Sequence, residues 1–222
     1  MVNIKTNIKS TALVHKKRQL ICRGAMEVFK EKGYSATSMR DIAGITGMSL
    51  GGLYDYIEKK EDILFMVHNE ILEKIDGCMR GLPDSCSDPV EELTYVLRRL
   101  LKLNYTFKKE IQFIYSETKC LKKENLHQIL KKESKFIAAF KSVIVRGIEK
   151  GVFDVACPDI AANMLAYNAS VLALRGWAMC PRHSHNQVIE DIVHFLLKSL
   201  KVSPLGIVPD QYEVQEKNGK KA

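Results

Sequence analysis

Residues 37–64, TSMRDIAGITGMSLGGLYDYIEKKEDIL, hold two short helical patterns with a tight break between them. No other stretch limits the fold so closely. Ser38 stands where its hydroxyl can accept from the free N–H groups of an opening turn, and Asp41, three residues on, completes a variant of the capping box. Met39, Ile42 and Ala43 then share one face at helical spacing, enough for about two turns. The break is Thr46-Gly47-Met48. Glycine tolerates the positive φ that a sharp helix-to-helix turn demands, and Ser49 is placed to cap a second short helix ending near Tyr54 and Tyr56. Two helices joined by a three- to four-residue turn containing glycine form the helix-turn-helix pattern, whose second helix enters the major groove of DNA.

These residues also carry a family likeness. The run from Val14 to Leu64 resembles the TetR family of bacterial transcriptional regulators. The matching positions are Asp41-Ile42-Ala43, then Gly47-Met48-Ser49, then Leu53-Tyr54-Asp55-Tyr56-Ile57 and Lys60. Two departures stand out: Leu50-Gly51-Gly52 replaces the family's polar residue, glycine and threonine, and Ile57 stands where phenylalanine is usual. The resemblance implies an all-α chain with a three-helix DNA-binding head, a larger helical body that binds an effector, and assembly as a homodimer. Carried over residue by residue, it implies DNA contacts from Arg40 and, at the phosphate backbone, from Tyr54 and Tyr56.

The residues themselves add to that set. Ser38 and Ser49 can donate to phosphates, although capping alone would explain them. Leu50 can press on a thymine methyl group. Gly51 and Gly52 suit a backbone that approaches DNA closely, or else they simply weaken a short helix. Tyr54 and Tyr56, at helical spacing, could equally be core. Lys60 begins the next helix, where its ammonium and the free N–H groups can hold a phosphate together.

Charge agrees with a polyanionic partner. The 222 residues carry a formal net charge of +8 with a pI near 9.1. No acid precedes Glu27, whereas Lys5, Lys9, Lys16, Lys17, Arg18 and Arg23 all lie before it. A basic arm leading into a helix-turn-helix reads as a phosphate or minor-groove contact, carried here by Lys16 and Lys17. For Lys5 and Lys9 a solvated terminus explains the charge as well. The six cysteines, at positions 22, 78, 86, 120, 157 and 180, show no CxxC spacing. They read as reduced thiols of a soluble, cytoplasmic protein. No apolar run approaches the roughly 20 residues of a membrane span, so no membrane partner is expected.

Along the chain, residues 1–13 lack an apolar period and read as a mobile arm. A bracing helix is expected over 14–32, and the head as a whole over 14–59. A long helix over 60–79 should link the head to an effector-binding and dimerisation body at 60–200. Asp88 with Pro89 signals a new helix start. Further helices are expected near 111–115 and over 126–150, the latter closed by Gly151 in a left-handed cap. Residues 159–179 read as one helix with almost no polar face, which must be covered all round. The last helix is expected over 186–200. These two should pair with their copies as a four-helix interface between subunits. Residues 201–222 read as a loose tail.

Nothing in the chain supports catalysis. There is no phosphate-binding glycine loop, nucleophile elbow, HExxH pair or zinc-spaced cluster, so neither a cofactor nor a metal is expected. His183 and His185 lack a cysteine or carboxylate at ligand spacing. The body is instead rich in aromatics: Tyr95, Tyr105, Phe113, Tyr115, Phe136, Phe140, Tyr167 and Trp177. Each could be core, but together they suit a pocket for a small apolar or aromatic effector. The segment FIYSETKCLKKENLHQILKKE with RGIEKGVF resembles the branch of the family that answers to acyl-CoA thioesters. The resulting expectation is a ligand-responsive repressor on a palindromic operator. The alternatives are an activator, a regulator answering to a drug-like ligand, and a helical acyl carrier or enzyme that does not touch DNA.

Overall fold

The computed structural model describes residues 4, 8–80 and 88–201. Most of the expected arm, the connector at 81–87 and the tail beyond Lys201 therefore lie outside the described residues. Among those described, all regular structure is helical: α1 Thr11–Lys32, α2 Met39–Thr46, α3 Leu50–Tyr54, α4 Lys60–Arg80, α5 Pro89–Thr106, α6 Lys108–Glu117, α7 Lys123–Glu149, α8 Pro158–Asn168, α9 Val171–Met179 and α10 His185–Ser199. A single 3₁₀ turn, Thr118–Cys120, joins α6 to α7.

Local signals account for most of the boundaries. Ser10, Ser38, Ser49, Asp88 and Ser184 each cap a helix by accepting from a backbone N–H of its first turn. The Ser10 cap starts α1 at Thr11, so the helix reaches three residues further into the arm than the apolar stripe indicated. Gly47 takes a left-handed φ of 65° at the end of α2, and this reverses the chain into α3. Gly147 illustrates a different demand: a Cβ there would sit 1.9 Å from Phe153, so only glycine lets the turn after α7 fold back onto its helix.

Residues 159–179 correct the expectation of one continuous helix. The chain breaks at Ala169-Ser170 into α8 and α9. The cause lies in α5: the buried Asn104 amide donates to the Ala169 carbonyl at 2.9 Å and lies 3.2 Å from the Ser170 hydroxyl. A side chain from another helix thus satisfies polar groups that the break exposes. The all-round cover expected for this segment is absent within one chain. Ile160, Met164, Tyr167 and Trp177 are 61, 54, 56 and 70% exposed.

Two apolar cores run through the molecule. One joins α1, α2, α3 and the first half of α4 to Ile111 and Ile114 of α6, Leu121, Ile129 of α7 and Ala173 of α9. The other packs α5, α7, α8, α10 and the end of α4. The first core runs without a break from the head into the first half of α4. The first half of α4 is its axis: residues 62–69 are all buried, so this segment is covered on every side.

His68 lies in that axis at 2% exposure. Its Nε2 is 3.1 Å from the Thr118 hydroxyl, which itself donates to the Ile114 carbonyl at 2.6 Å. The hydroxyl must therefore accept from Nε2–H. Burial pushes the His68 pKa down to about 4. Because the folded value lies below the usual value of about 6.5, the unfolded chain takes up a proton between these pH values that the folded chain refuses. The contribution is thus complete above pH ~6.5 and is lost as pH falls toward ~4, to a total on the order of 3 kcal/mol. Chemical denaturation followed from pH 7 to pH 4 should show this loss, and His68→Gln should flatten it; an equally steep fall in the variant would assign the acid limb to other groups.

Candidate nucleic-acid interface and ligand cleft

The head is built from interlocking caps. Ser38 Oγ accepts from Asp41 N–H at 3.2 Å, while the Asp41 carboxylate accepts from Ser38 N–H at 2.9 Å and from its hydroxyl at 2.7 Å. Lys32 at the end of α1 pairs with the same carboxylate at 2.6 Å. The Lys32 ammonium and the Ser38 donors hold the Asp41 carboxyl well below the usual carboxylate range. This knot fixes α2 against α1. Ser49 Oγ accepts from Gly52 N–H at 3.0 Å and opens α3. Asp62 repeats the device at α4, accepting from the N–H groups of Glu58 at 2.8 Å and Lys59 at 3.0 Å.

Most residues expected at DNA occupy the head's outer surface. Lys16, Ser38, Arg40, Ser49, Gly51 and Tyr54 are exposed, and Lys17 and Gly52 are half-buried. Leu50 is half-buried and packs against the head's core, so only part of it faces outward. α3 spans five residues, and with glycine at 51 and 52 its outward face is mostly backbone. A Cβ at Gly51 would meet nothing within 4 Å, so that face is open.

Two of the expected contacts are engaged inside the head. Tyr56 is 7% exposed and packed in the core, so its ring serves the head rather than a broad DNA contact. Lys60 does not present its ammonium to solvent phosphate. Its Nζ donates to the carbonyls of Tyr34 at 2.6 Å, Ser35 at 3.2 Å and Thr37 at 2.8 Å, and it lies 4.6 Å over the Tyr34 ring. An ammonium has three protons, and all three are engaged. Lys60 pins the α1–α2 loop to the start of α4. Arg18, read only as part of a basic arm, makes a second pin: Nε donates to the Tyr56 carbonyl at 3.1 Å and Nη2 to that of Ile4 at 2.8 Å.

The eight aromatics expected in one effector pocket divide among several places. Tyr105, Phe113 and Trp177 line a cleft of about 990 Å³ between α1, α6 and α9. Phe140 is fully buried, with Phe136 packed edge-on at 5.1 Å. Phe136 also borders a smaller cavity of about 330 Å³ between α4 and α7. Tyr115 and Tyr167 meet edge-on at 6.4 Å on the surface, where they are 48 and 56% exposed. Tyr95 lies under Arg99, whose guanidinium is 5.2 Å from the ring and donates to its hydroxyl. His185, considered above as a stray metal ligand, instead hydrogen-bonds the Tyr105 hydroxyl. The sequence reading missed that Phe29 and Tyr34, from the head, line the same cleft as Phe113 from the body. Phe29 lay in a helical apolar stripe, and such a stripe marks burial without naming the partner.

Among known proteins, residues 21–67 match the family model described as bacterial regulatory proteins, tetR family, and residues 86–172 match a tetracyclin repressor-like C-terminal domain. The HTH-type transcriptional regulator HbdR of Aromatoleum sp. (strain CIB) is 23% identical over 189 residues, which is 85% of this chain and 82% of HbdR. Among solved structures, a bacterial regulatory protein in the tetR family from Rhodococcus RHA1 superposes with a TM-score of 0.75 at 20% identity, over 84% of this chain and 97% of its own. AibR, solved in complex with isovaleryl coenzyme A and operator DNA, gives a TM-score of 0.69 at 22% identity, over 81% of this chain and 97% of AibR.

The geometry around Lys60 separates two roles for that residue. Hydrogen bonds to a charged donor contribute about 1.5–3 kcal/mol, so Lys60→Met should lower stability in urea denaturation by about 2 kcal/mol. A change within about 0.5 kcal/mol, typical of an ordinary surface site, would return Lys60 to the role of a phosphate contact.

Proposed function

The chain belongs to the TetR family of bacterial transcriptional regulators, and from that premise we propose that it is a homodimeric repressor, released from a palindromic operator by a small apolar effector. As a member of this family it is a DNA-binding regulator and not an enzyme. The observation that carries the reading is the head itself. Two capped helices meet at a left-handed glycine, and the second presents an open backbone face flanked by Ser49 and Tyr54.

In this reading α3 enters the major groove backbone-first. Gly51 and Gly52 allow close approach, and Leu50 and Ser49 lie at the groove floor. Arg40 reaches from α2 to a base edge or a phosphate. Ser38, Tyr54, Lys16 and Lys17 hold the backbone and set the register of the head. With so few side chains on α3, discrimination leans on Arg40 and on how readily the operator deforms.

Pairing of two chains would bring the heads about one DNA turn apart, roughly 34 Å. The uncovered apolar face supports such pairing: Ile160, Met164 and Tyr167 follow one another at helical steps on α8, and Phe195 of α10 is 69% exposed. Exposed apolar patches of this kind mark association surfaces. No helix among the described residues is long and apolar enough to cross a membrane, which fits a site of action in the cytoplasm.

The effector class follows from two supports. The body holds an aromatic-walled cleft large enough for a small molecule. AibR, which shares the fold, was solved with an acyl-CoA thioester and operator DNA. A thioester of coenzyme A is therefore the first ligand to assay.

The reading predicts a steep salt dependence, because phosphate contacts release counterions. On a duplex selected from a random pool, affinity should fall at least ~10-fold between about 50 and 200 mM salt. Arg40→Ala should cost about 1–3 kcal/mol of binding and Tyr54→Phe less, with stability unchanged in both. Binding that ignores salt, or an Arg40→Ala variant that selects and binds the same duplex equally well, would remove the head from DNA recognition.

A further inference from the structure

Three observations meet in the cleft between α1, α6 and α9. Its floor is a set of stacked rings. Phe29 of α1 lies on Phe113 of α6, with centroids 4.9 Å apart and planes 11° from parallel, and Tyr34 tilts against both at 5.2 and 5.8 Å. α1 braces the head and α6 belongs to the body, so these rings form a latch between the two. The Tyr34 hydroxyl is buried without a hydrogen-bond partner.

The wall opposite is shaped by α9 and α5. A Cβ on Gly176 would sit 3.8 Å from the Tyr105 ring, at ordinary contact distance, so the absence of a side chain there leaves room without being forced by crowding. Trp177 borders the same space at 70% exposure. The mouth carries both signs of charge: Arg23, Lys30, Lys108 and Lys109 against Glu27, Glu110 and Glu117. The balance is one positive charge. Lys108 stands 5.1 Å over the Tyr105 ring, at the point where the apolar wall gives way to solvent.

We propose that this cleft seats the effector, and that the effector is an amphipathic anion: an apolar or aromatic body lying along Phe29 and Phe113, with its anionic end at Lys108 and Lys109. The proposal rests on the reading of the chain as an effector-responsive regulator, and it adds the place, the ligand chemistry and the mode of action. A ligand shifts an equilibrium only by its differential affinity for the two states. One seated here touches head and body at once, so it binds best to an arrangement in which α1 stands off α6. Its entry separates the Phe29–Phe113 stack and tilts α1, and the head turns with α1 through the Lys32–Asp41 pair. A ligand in the smaller cavity between α4 and α7 would touch neither α1 nor α6.

Trp177 is the only tryptophan in the chain, which makes the cleft directly observable. The probe is 1-anilinonaphthalene-8-sulfonate, a flat aromatic body with one anionic group, titrated into the full-length protein. Excited where tyrosine is silent, Trp177 should transfer energy to bound probe along a saturable curve. Hydrogen exchange in the last turns of α1 should rise when the probe is bound. Gly176→Leu fills the cleft and should weaken the probe at least tenfold. Lys108→Glu with Lys109→Glu changes only exposed groups and should also weaken it severalfold, so the test survives even if the filled variant folds poorly. Probe bound without transfer from Trp177, or bound undiminished in both variants, overturns the proposal. Those results leave the regulatory reading standing with its effector elsewhere, whereas failure to select any duplex would overturn that reading and leave the probe measurements intact.

Discussion

The first half of α4 is the member on which everything else bears. A helix buried on every side cannot shift without repacking its whole surroundings, and residues 62–69 are in that position. At its start Lys60 binds three carbonyls of the loop between α1 and α2, and Asp62 accepts from two N–H groups of the segment that leaves α3. Both approaches to the head are thereby tied to one turn of one helix. α3 has only five residues and two glycines, and would hold no fixed angle by itself. Its orientation is inherited from α4.

The same arrangement explains how a signal in the body could reach DNA. α1, α2, α3 and the start of α4 pack into one apolar core, so these four elements move together. Where α1 meets α6 the contact is a stack of rings beside an open cleft rather than close-packed aliphatic core. Packed cores are bistable and do not deform smoothly, so a ligand has most leverage at a boundary that is already incompletely filled. In a dimer held through α8 and α10, a small tilt at this boundary would be magnified at the outer surface of each head.

What the sequence disclosed and what it hid follow a physical line. Ser38, Ser49 and Asp88 were legible because a cap is made with groups two or three residues away. Gly47 was legible because a left-handed turn leaves few other choices. The three carbonyls that Lys60 binds were not legible because they lie 23 to 26 residues back in the chain, where no local pattern announces them. The break between α8 and α9 was missed for the same reason, since the side chain that stabilises it, Asn104, is 65 residues away. The aromatics lie in several places, and the sequence could not divide them. Periodicity shows which helix face is apolar, not which cavity that face borders. Tyr56 sits in a motif whose two tyrosines look alike in sequence and differ sevenfold in exposure, 49 against 7%.

The central claim is mechanical: two heads, each fixed to its own α4, are presented to successive major grooves by a paired body. Hydroxyl-radical footprinting of the protein on a duplex selected from a random pool tests it most directly. The account predicts two protected patches related by two-fold symmetry, their centres one helical turn or a small multiple of it apart, about 10 base pairs per turn. A single unsymmetrical patch, or protection with no fixed spacing, would contradict it.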